Sequence, residues 1–378
     1  MTALGTFGII RRSRKQHEER LPIDPRHFDR IPDDVARRLI FERGYGEPFG
    51  VSDDMIARRF GGLASRRELL SDCDGIVLPK PTPEDLRELH QGGLLWGWPH
   101  CVQQQEITEI AVERRQTLIA FEGMHRWAAG NVRDMHLFYR NNEMAGYCGV
   151  LHAFDIYGID GHFGSTRNAV VLSLGSVSRG AIRALLGRGI IDITVYTQRP
   201  PLVVRDRVHE CRYGQMVCGD GGRATVIEPD GISRPLADVL AAADVIVNGI
   251  LQDTDRPLMF LRAGEEDRLR DGALIIDVSC DLGMGFPFAR PTSFDNPTFP
   301  VARATYYAVD HTPTYLWRSA TWEISQVVIA YLERVLGGPD SWAQDETLRR
   351  AIDIQDGEIR NPKILSFRQK DPAPRRAS

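Results

Sequence analysis

The chain has 378 residues, 42% of them hydrophobic and 26% charged, the proportions of a globular protein long enough for two domains and a large core. A formal net charge of −4 gives no reason to expect nucleic acid or an anionic membrane as partner. Cys73, Cys101, Cys148, Cys211, Cys218 and Cys280 lack Cys-x-x-Cys spacing, which argues against a metal site or disulfide frame and reads as buried thiols in a reducing compartment. The opening MTALGTFGIIRRSRK has no long apolar core or cleavage signal, and no run approaches about 18 apolar residues. Cytoplasm is the expectation.

In chain order, Gly5 to Ile10 reads as a first strand, followed by a basic turn from Arg11 to Lys15 expected to be a solvated loop. His17-Glu-Glu-Arg20-Leu-Pro22 leads to Pro25. The spacing then predicts helices over Pro32 to Arg43, Met55 to Phe60 and Ser65 to Leu70. Gly75 to Leu78 is a short buried strand stopping at Pro79-Lys80-Pro81, and Pro83 to His90 restarts as helix. Leu94 to Trp98 is the next strand, ending at Pro99-His100. Gln105 to Arg115 is a helix, and Thr117 to Phe121 a strand that stops at Glu122. Strands and helices alternating at these lengths imply a parallel sheet. Chemistry is then expected at the carboxyl ends of its strands, where Lys80, His100 and Glu122 fall. Tyr147 to Tyr157 has the apolar spacing of a long helix.

From Asn168 to Arg199 the chain reads strand, tight turn, helix, strand. Ala169 to Leu174 suits a strand buried on both faces, Val177, Ala181, Ile182, Leu185 and Leu186 recur at helical spacing, and Ile193 to Thr197 is the second strand. Such a unit lays a dinucleotide pyrophosphate on the first amides of the helix, where unpaired N–H groups and the dipole favour anions. Ser173, Gly175, Ser176, Val177, Ser178 and Gly180 are therefore candidate cofactor contacts. The glycine pattern is degenerate, with Ser173-x-Gly175-x-x-Ser178 in place of Gly-x-Gly-x-x-Gly, and an ordinary α/β turn is the competing reading. The second strand ends in Thr197, Gln198 and Arg199, not in the Asp or Glu that binds the ribose hydroxyls of NAD. A cation with hydroxyl and amide donors suits a 2′-phosphate, so NADP(H) is expected, with a solvated surface arginine as the alternative.

Beyond this stretch, Leu236 to Ala242 reads as helix and Val245 to Val247 as a strand ending at Asn248-Gly249. Ala273 to Val278 is another strand, with Asp277 inside it and Asp281 just past its end. Tyr306 to Val309 leads to Asp310-His311-Thr312-Pro313, and Ala320 to Val335 is helical. The tail over residues 366–378 is expected to be disordered.

Seven segments carry a resemblance. They are Glu19-Arg20, Leu78-Pro-Lys80, Gly97-Trp-Pro-His100, Ala145-Gly-Tyr-Cys-Gly-Val-Leu151, Ile246-Val-Asn248-Gly249-Ile250, Leu274-Ile-Ile-Asp-Val278 with Asp281, and Tyr306-Tyr-Ala-Val-Asp-His-Thr-Pro313. In this order the chain resembles the superfamily of alanine dehydrogenase, the nicotinamide nucleotide transhydrogenase α-subunit and saccharopine dehydrogenase, and most nearly the N(5)-(carboxyethyl)ornithine synthases. The resemblance implies an α/β protein of two Rossmann-like domains with parallel sheets. A discontinuous substrate and catalytic domain (1–145 and 318–365) would be interrupted by an NADP(H)-binding domain (146–317), in a homo-oligomer.

It also implies roles. Arg20 matches the family arginine that holds a keto-acid carboxylate, a task suited to the guanidinium fork; a surface ion pair with Glu18 or Glu19 is the competing reading. Lys80 and His100 match the acid/base pair, and Glu122 would orient one of them or merely cap a turn. Asp281 corresponds to the aspartate near nicotinamide and substrate, with Asp277 and a purely structural loop aspartate as the rival readings. Asn248 would approach the nicotinamide-ribose side, with Gly249, Ile250, Val278 and His311 as further cofactor contacts, although Asn248-Gly249 also suits a plain turn. His311-Thr312-Pro313 departs from the Asn-Met-Pro segment of alanine dehydrogenases, so alanine specificity does not transfer. The implied reaction uses no metal: an amino-acid side-chain amine, ornithine-like, condenses with a pyruvate-like 2-keto acid and is reduced by NADPH. Oxidative deamination of a simple amino acid and a non-catalytic NADP(H)-sensing module are the alternatives.

Overall fold

The computed structural model describes residues 3–218, 224–253 and 257–370. It resolves into two compact units, one formed by the residues up to Tyr139 together with those from Leu316 onward, the other by Arg140–Tyr315.

The first unit is built on an eight-stranded sheet in the spatial order Glu358–Ile359, Ile352–Gln355, Thr117–Ala120, Leu94–Gly97, Gly75–Leu78, Phe7–Ile9, Leu39–Glu42, Gly62–Ala64. The last six run parallel; Ile352–Gln355 pairs antiparallel with Thr117–Ala120, and Glu358–Ile359 antiparallel with Ile352–Gln355. Gly75–Leu78, Leu94–Gly97 and Thr117–Ala120 are buried along their whole length, the apolar runs demanded by a sheet covered on both faces. The order reverses between Phe7–Ile9 and Gly75–Leu78, and a crevice for ligands opens at the carboxyl ends beside such a reversal.

One expected element is corrected. The helix over Pro32 to Arg43 is a single turn, Asp33–Ala36, followed by the strand Leu39–Glu42 paired with Phe7–Ile9. Leu39 and Phe41 are fully buried while Ile40 and Glu42 are half-buried, a period of two that the helical reading of this window overlooked. Residues 366–370 of the expected tail belong to a helix, Pro362–Lys370, whose Ile364 side chain is buried. The rest of the tail, 371–378, lies outside the described residues.

The second unit carries a nine-stranded sheet: Ser233–Pro235, Ala224–Ile227, Arg212–Cys218, Asp192–Thr197, Asn168–Leu172, Val245–Asn248, Leu274–Asp277, Ala304–Tyr307, Thr298–Val301. Its six central strands are parallel, and the strands added at both edges are antiparallel. Here the order reverses on either side of Asn168–Leu172, the strand that enters the helix Ser176–Gly187. That helix lies hard against Tyr139–Tyr157. A Cβ on Gly180 would stand 1.7 Å from the Glu143 carbonyl oxygen, and one on Gly146 would stand 1.9 Å from that of Val177. Cys73, Cys101 and Cys148 are buried and Cys211 and Cys280 half-buried, but Cys218 is exposed, because it ends a strand near the sheet margin. Among the described residues no helix is long and apolar enough to cross a membrane.

Candidate active site

Three neighbouring strands of the first unit end level with one another, Leu78 opposite Gly97 and Gly97 opposite Ala120. Lys80, His100 and Glu122 follow within two or three residues, so the register alone aligns them along one edge. The first two strand ends are drawn together further. Trp98 N–H donates to the Pro79 carbonyl (2.9 Å), and a Cβ on Gly97 would fall 2.0 Å from the Leu78 oxygen. Ser13 Oγ donates to the Lys80 carbonyl and anchors that turn. His100 adopts a left-handed backbone (φ 49°), a conformation that a non-glycine residue holds only when its surroundings enforce it. Glu122 Oε1 takes the His100 N–H (2.8 Å), and Gln103 and Gln104 amides donate to its carbonyl (3.0 and 2.8 Å).

Lys80 Nζ lies 2.6 Å from His100 Nε2. Lysine nitrogen has no other role at that distance than to share a proton with the ring, either as ammonium donating to neutral imidazole or as amine accepting from imidazolium. In the first case the remaining ring proton sits on Nδ1, which faces Glu122 Oε1 at 3.6 Å. His100 and Glu122 are each about a third exposed, yet Glu122 Oε2 is sealed from solvent and has no hydrogen-bond partner. Burial pushes the Glu122 carboxyl well above the usual range, and the neighbouring Asp353 carboxyl pushes in the same direction. These three residues form a chain of groups able to pass protons from one to the next.

Arg20 is ion-paired with Glu18, as the competing reading had it, but the pair is buried and not at the surface. Arg20 is 2% exposed, its Nε donates to Glu18 Oε1 (2.8 Å) and its Nη2 to Glu18 Oε2, and its guanidinium lies 5.2 Å from the centre of the Trp98 ring. A carboxylate partner two residues away was visible in the sequence; its burial was not.

The second unit places the cofactor candidates around one turn. Ser173, where a fingerprint would have its first glycine, is left-handed (φ 83°), and its Oγ accepts from Gly175 N–H (3.2 Å). Gly175 is exposed and caps the helix, whose first turn has no acidic residue, so the Ser176 and Val177 amides open toward an electropositive end. A Cβ on Gly175 would meet nothing nearer than Ser173 Oγ at 3.7 Å, so this glycine serves the turn rather than relieving a clash. Ser178 is turned inward, donating to the Leu172 carbonyl (3.2 Å), and Gly180 is buried against the Tyr139–Tyr157 helix. The dinucleotide fit therefore rests on the main chain of 175–177. Thr197 is buried and its Oγ bonds both the amide and carbonyl of Arg199 (3.0 and 2.9 Å), which leaves Gln198 and Arg199 exposed at the strand end.

Asn248 is buried and its amide is committed to protein partners, donating to Asp277 Oδ1 (2.8 Å) and accepting from Ile250 N–H (3.0 Å). Gly249 permits the loop to pass close to the helix start, since a Cβ there would stand 2.3 Å from Ser178 Oγ. Asp277 also accepts from Tyr306 Oη (2.7 Å), which reaches Cys280 Sγ at 3.4 Å. Burial lifts the Asp277 carboxyl to about 7 and the Cys280 thiol to about 12. Val278 and Asp281 are half-buried just beyond, and His311 is left-handed (φ 46°) with Nδ1 2.6 Å from Asp310 Oδ1. Sequence reading missed Tyr306 and Cys280 as members of this network; Tyr306 stood in view only as a strand residue.

Residues 223–362 match the model of the alanine dehydrogenase/PNT C-terminal domain. An N(5)-(carboxyethyl)ornithine synthase of Clostridium botulinum is 24% identical over 82% of this chain and 88% of its own length, and an alanine dehydrogenase of Mycolicibacterium smegmatis is 23% identical over 91% and 92%. A solved L-alanine dehydrogenase shares the fold with a TM-score of 0.72 at 18% identity, covering 97% of this chain and 99% of that one. The chain is thus similar in fold, and over its C-terminal part in sequence, to the alanine dehydrogenase/PNT family of NAD(P)-dependent oxidoreductases.

Proposed function

We propose that this protein joins an amino-acid side-chain amine to a 2-keto acid and reduces the product to a secondary amine with NADPH, as the name of its N(5)-(carboxyethyl)ornithine synthase relatives describes. The first unit is the substrate and catalytic domain on this reading, and the second binds the coenzyme. The observation that carries it is the Lys80–His100 contact at 2.6 Å, backed by Glu122. Condensation requires a proton to reach the keto-acid oxygen before it leaves as water, and the amine must lose one. A lysine and histidine that share a proton can do both. Arg20 would hold the keto-acid carboxylate, its guanidinium already fixed by Glu18 and Trp98, so little side-chain freedom is lost on binding. When bound, NADPH supplies the hydride; the amides of 175–177 would hold its pyrophosphate and Arg199 its 2′-phosphate. Asp281, Asn248, Gly249, Ile250, Val278 and His311 would border the nicotinamide end.

Alanine-dehydrogenase-like deamination stays as the second reading, because those relatives are nearly as similar and match more of the chain. Incubation with NADPH and a panel of amines and 2-keto acids, with new secondary amines identified by mass, separates the two. Ornithine or lysine with pyruvate should yield a product; NADPH oxidation with ammonia as the sole effective amine would replace this reading with the second.

A further inference from the structure

The basic turn from Arg11 to Lys15, expected to be a solvated loop, is tied down along its length. Arg11 N–H donates to Glu42 Oε2 (2.6 Å), its guanidinium pairs with Glu47 (2.9 Å), and Arg12 Nε donates to Glu19 (2.9 Å). Arg14 lies 3.1 Å from Asp85 Oδ1, a fully buried carboxylate on the helix Pro83–Glu88. Asp85 also takes Arg66 Nη2 (2.5 Å) and the Thr82 amide (2.9 Å), while Arg66 Nη1 donates to the Arg12 carbonyl (2.7 Å). At the centre of the turn Ser13 is buried. The Lys15 N–H donates to its Oγ (3.0 Å), and its hydroxyl donates to the Lys80 carbonyl.

Lys80 stands between Pro79 and Pro81. The rings fix φ on either side of it, and a residue before proline is confined to extended backbone. Neither proline has an N–H to donate, so this stretch is gripped through its carbonyls: Pro79 by Trp98 N–H, Lys80 by Ser13. Holding the Lys80 carbonyl fixes the peptide plane that follows it, and with it the direction in which the lysine side chain leaves the backbone toward His100. We infer that Ser13 is a positioning residue for Lys80, and that the basic arm braces the turn that carries this lysine. The same arm continues into Glu18 and Arg20, with Glu18 N–H donating to the Lys15 carbonyl (3.1 Å), so the proposed carboxylate-holding group and the proton-sharing lysine rest on one support. The inference deepens the acid/base reading above and rests on it.

The test uses NMR of the whole protein with nitrogen-15-labelled histidine and no substrate, His100→Gln assigning the ring signals. Lys80→Ala defines where the His100 Nε2 signal falls once its hydrogen bond to lysine is lost. Ser13→Ala should move that signal most of the way to this position. Ser13→Thr, which keeps the hydroxyl, should leave it at the wild-type position, and Ser13→Cys, a weaker donor of similar size, should fall between. A signal unmoved in folded Ser13→Ala, or moved equally in Ser13→Thr, overturns the inference. Because no substrate is present, failure of the amine–keto acid reaction would leave this result untouched. Where turnover is found, kcat of Ser13→Ala should fall by about 10- to 100-fold with NADPH binding unchanged, as for a proton-transfer group displaced by a fraction of an ångström. A change in KM alone would contradict it.

Discussion

The carboxyl edges of the two sheets are equipped in opposite ways. In the first unit the edge is lined by side chains whose charge can change, Lys80 against His100 with Glu122 beneath them, beside a buried Arg20–Glu18 ion pair. In the second, the side chains that a motif would offer to a ligand are largely occupied by the protein. Ser178 is tied to Leu172, Thr197 to Arg199, and Asn248 to Asp277 and Ile250, which leaves main-chain amides and an exposed arginine at the margin. Main-chain donors have fixed charge and cannot be substituted away, so they suit an anion that must be held and released unaltered. Titratable side chains suit a reaction in which protons move. The contrast predicts that substitutions in the first unit alter turnover, whereas those in the second alter stability or cofactor choice.

The sharpest way to break this contrast is Lys80→Ala. Loss of half the proton-sharing pair should lower turnover by about 100- to 10,000-fold while NADPH binding, followed by fluorescence, stays unchanged. Equal loss of both would mean that the division of labour is wrong. Next is a pH effect confined to the second unit. Asp277, lifted to about 7, keeps a proton in the folded state that the unfolded chain releases above about 4. The folded state then binds more protons than the unfolded one in that window. Stability should therefore be greatest below about pH 4, as far as this group is concerned, and fall as pH rises toward 7, by an amount on the order of 4 kcal/mol. Urea midpoints at pH 5 and 7.5 read this slope, and Asp277→Asn should flatten it; an equal slope in the variant would assign the loss to other groups.

Gly180→Ala should destabilise by about 1–3 kcal/mol, because its methyl group would stand 1.7 Å from the Glu143 carbonyl and two helices would have to part. Calorimetry checks it, and an unshifted transition would show that the helices yield freely. The smallest effect is expected at Arg199, which is exposed. Arg199→Glu should weaken NADPH relative to NADH by roughly tenfold, about 1.4 kcal/mol, and an unaltered ratio of dissociation constants would remove the 2′-phosphate assignment.

Much of this was legible in the chain itself. Apolar runs such as Gly75 to Leu78 and Val245 to Val247 announce strands covered on both faces, because only a parallel sheet between helices can bury so continuous an apolar stretch. The place of Lys80, His100 and Glu122 just past three such runs set them along one strand edge before any contact was known. Where two periods compete over a few residues, as at Leu39–Glu42, local pattern does not decide, and a neighbouring strand did. The partners were hidden for a different reason. Tyr306, for example, reaches Asp277 across adjacent strands.

Residue type and order determined the class of chemistry, since only certain side chains can share a proton and only certain turns expose helix amides. Packing decided which of those groups are charged, because charge depends on the water excluded and the neighbours admitted. Glu122 and Asp277 are ordinary carboxyls by composition. Their surroundings, assembled from distant parts of the chain, are what hold a proton on them.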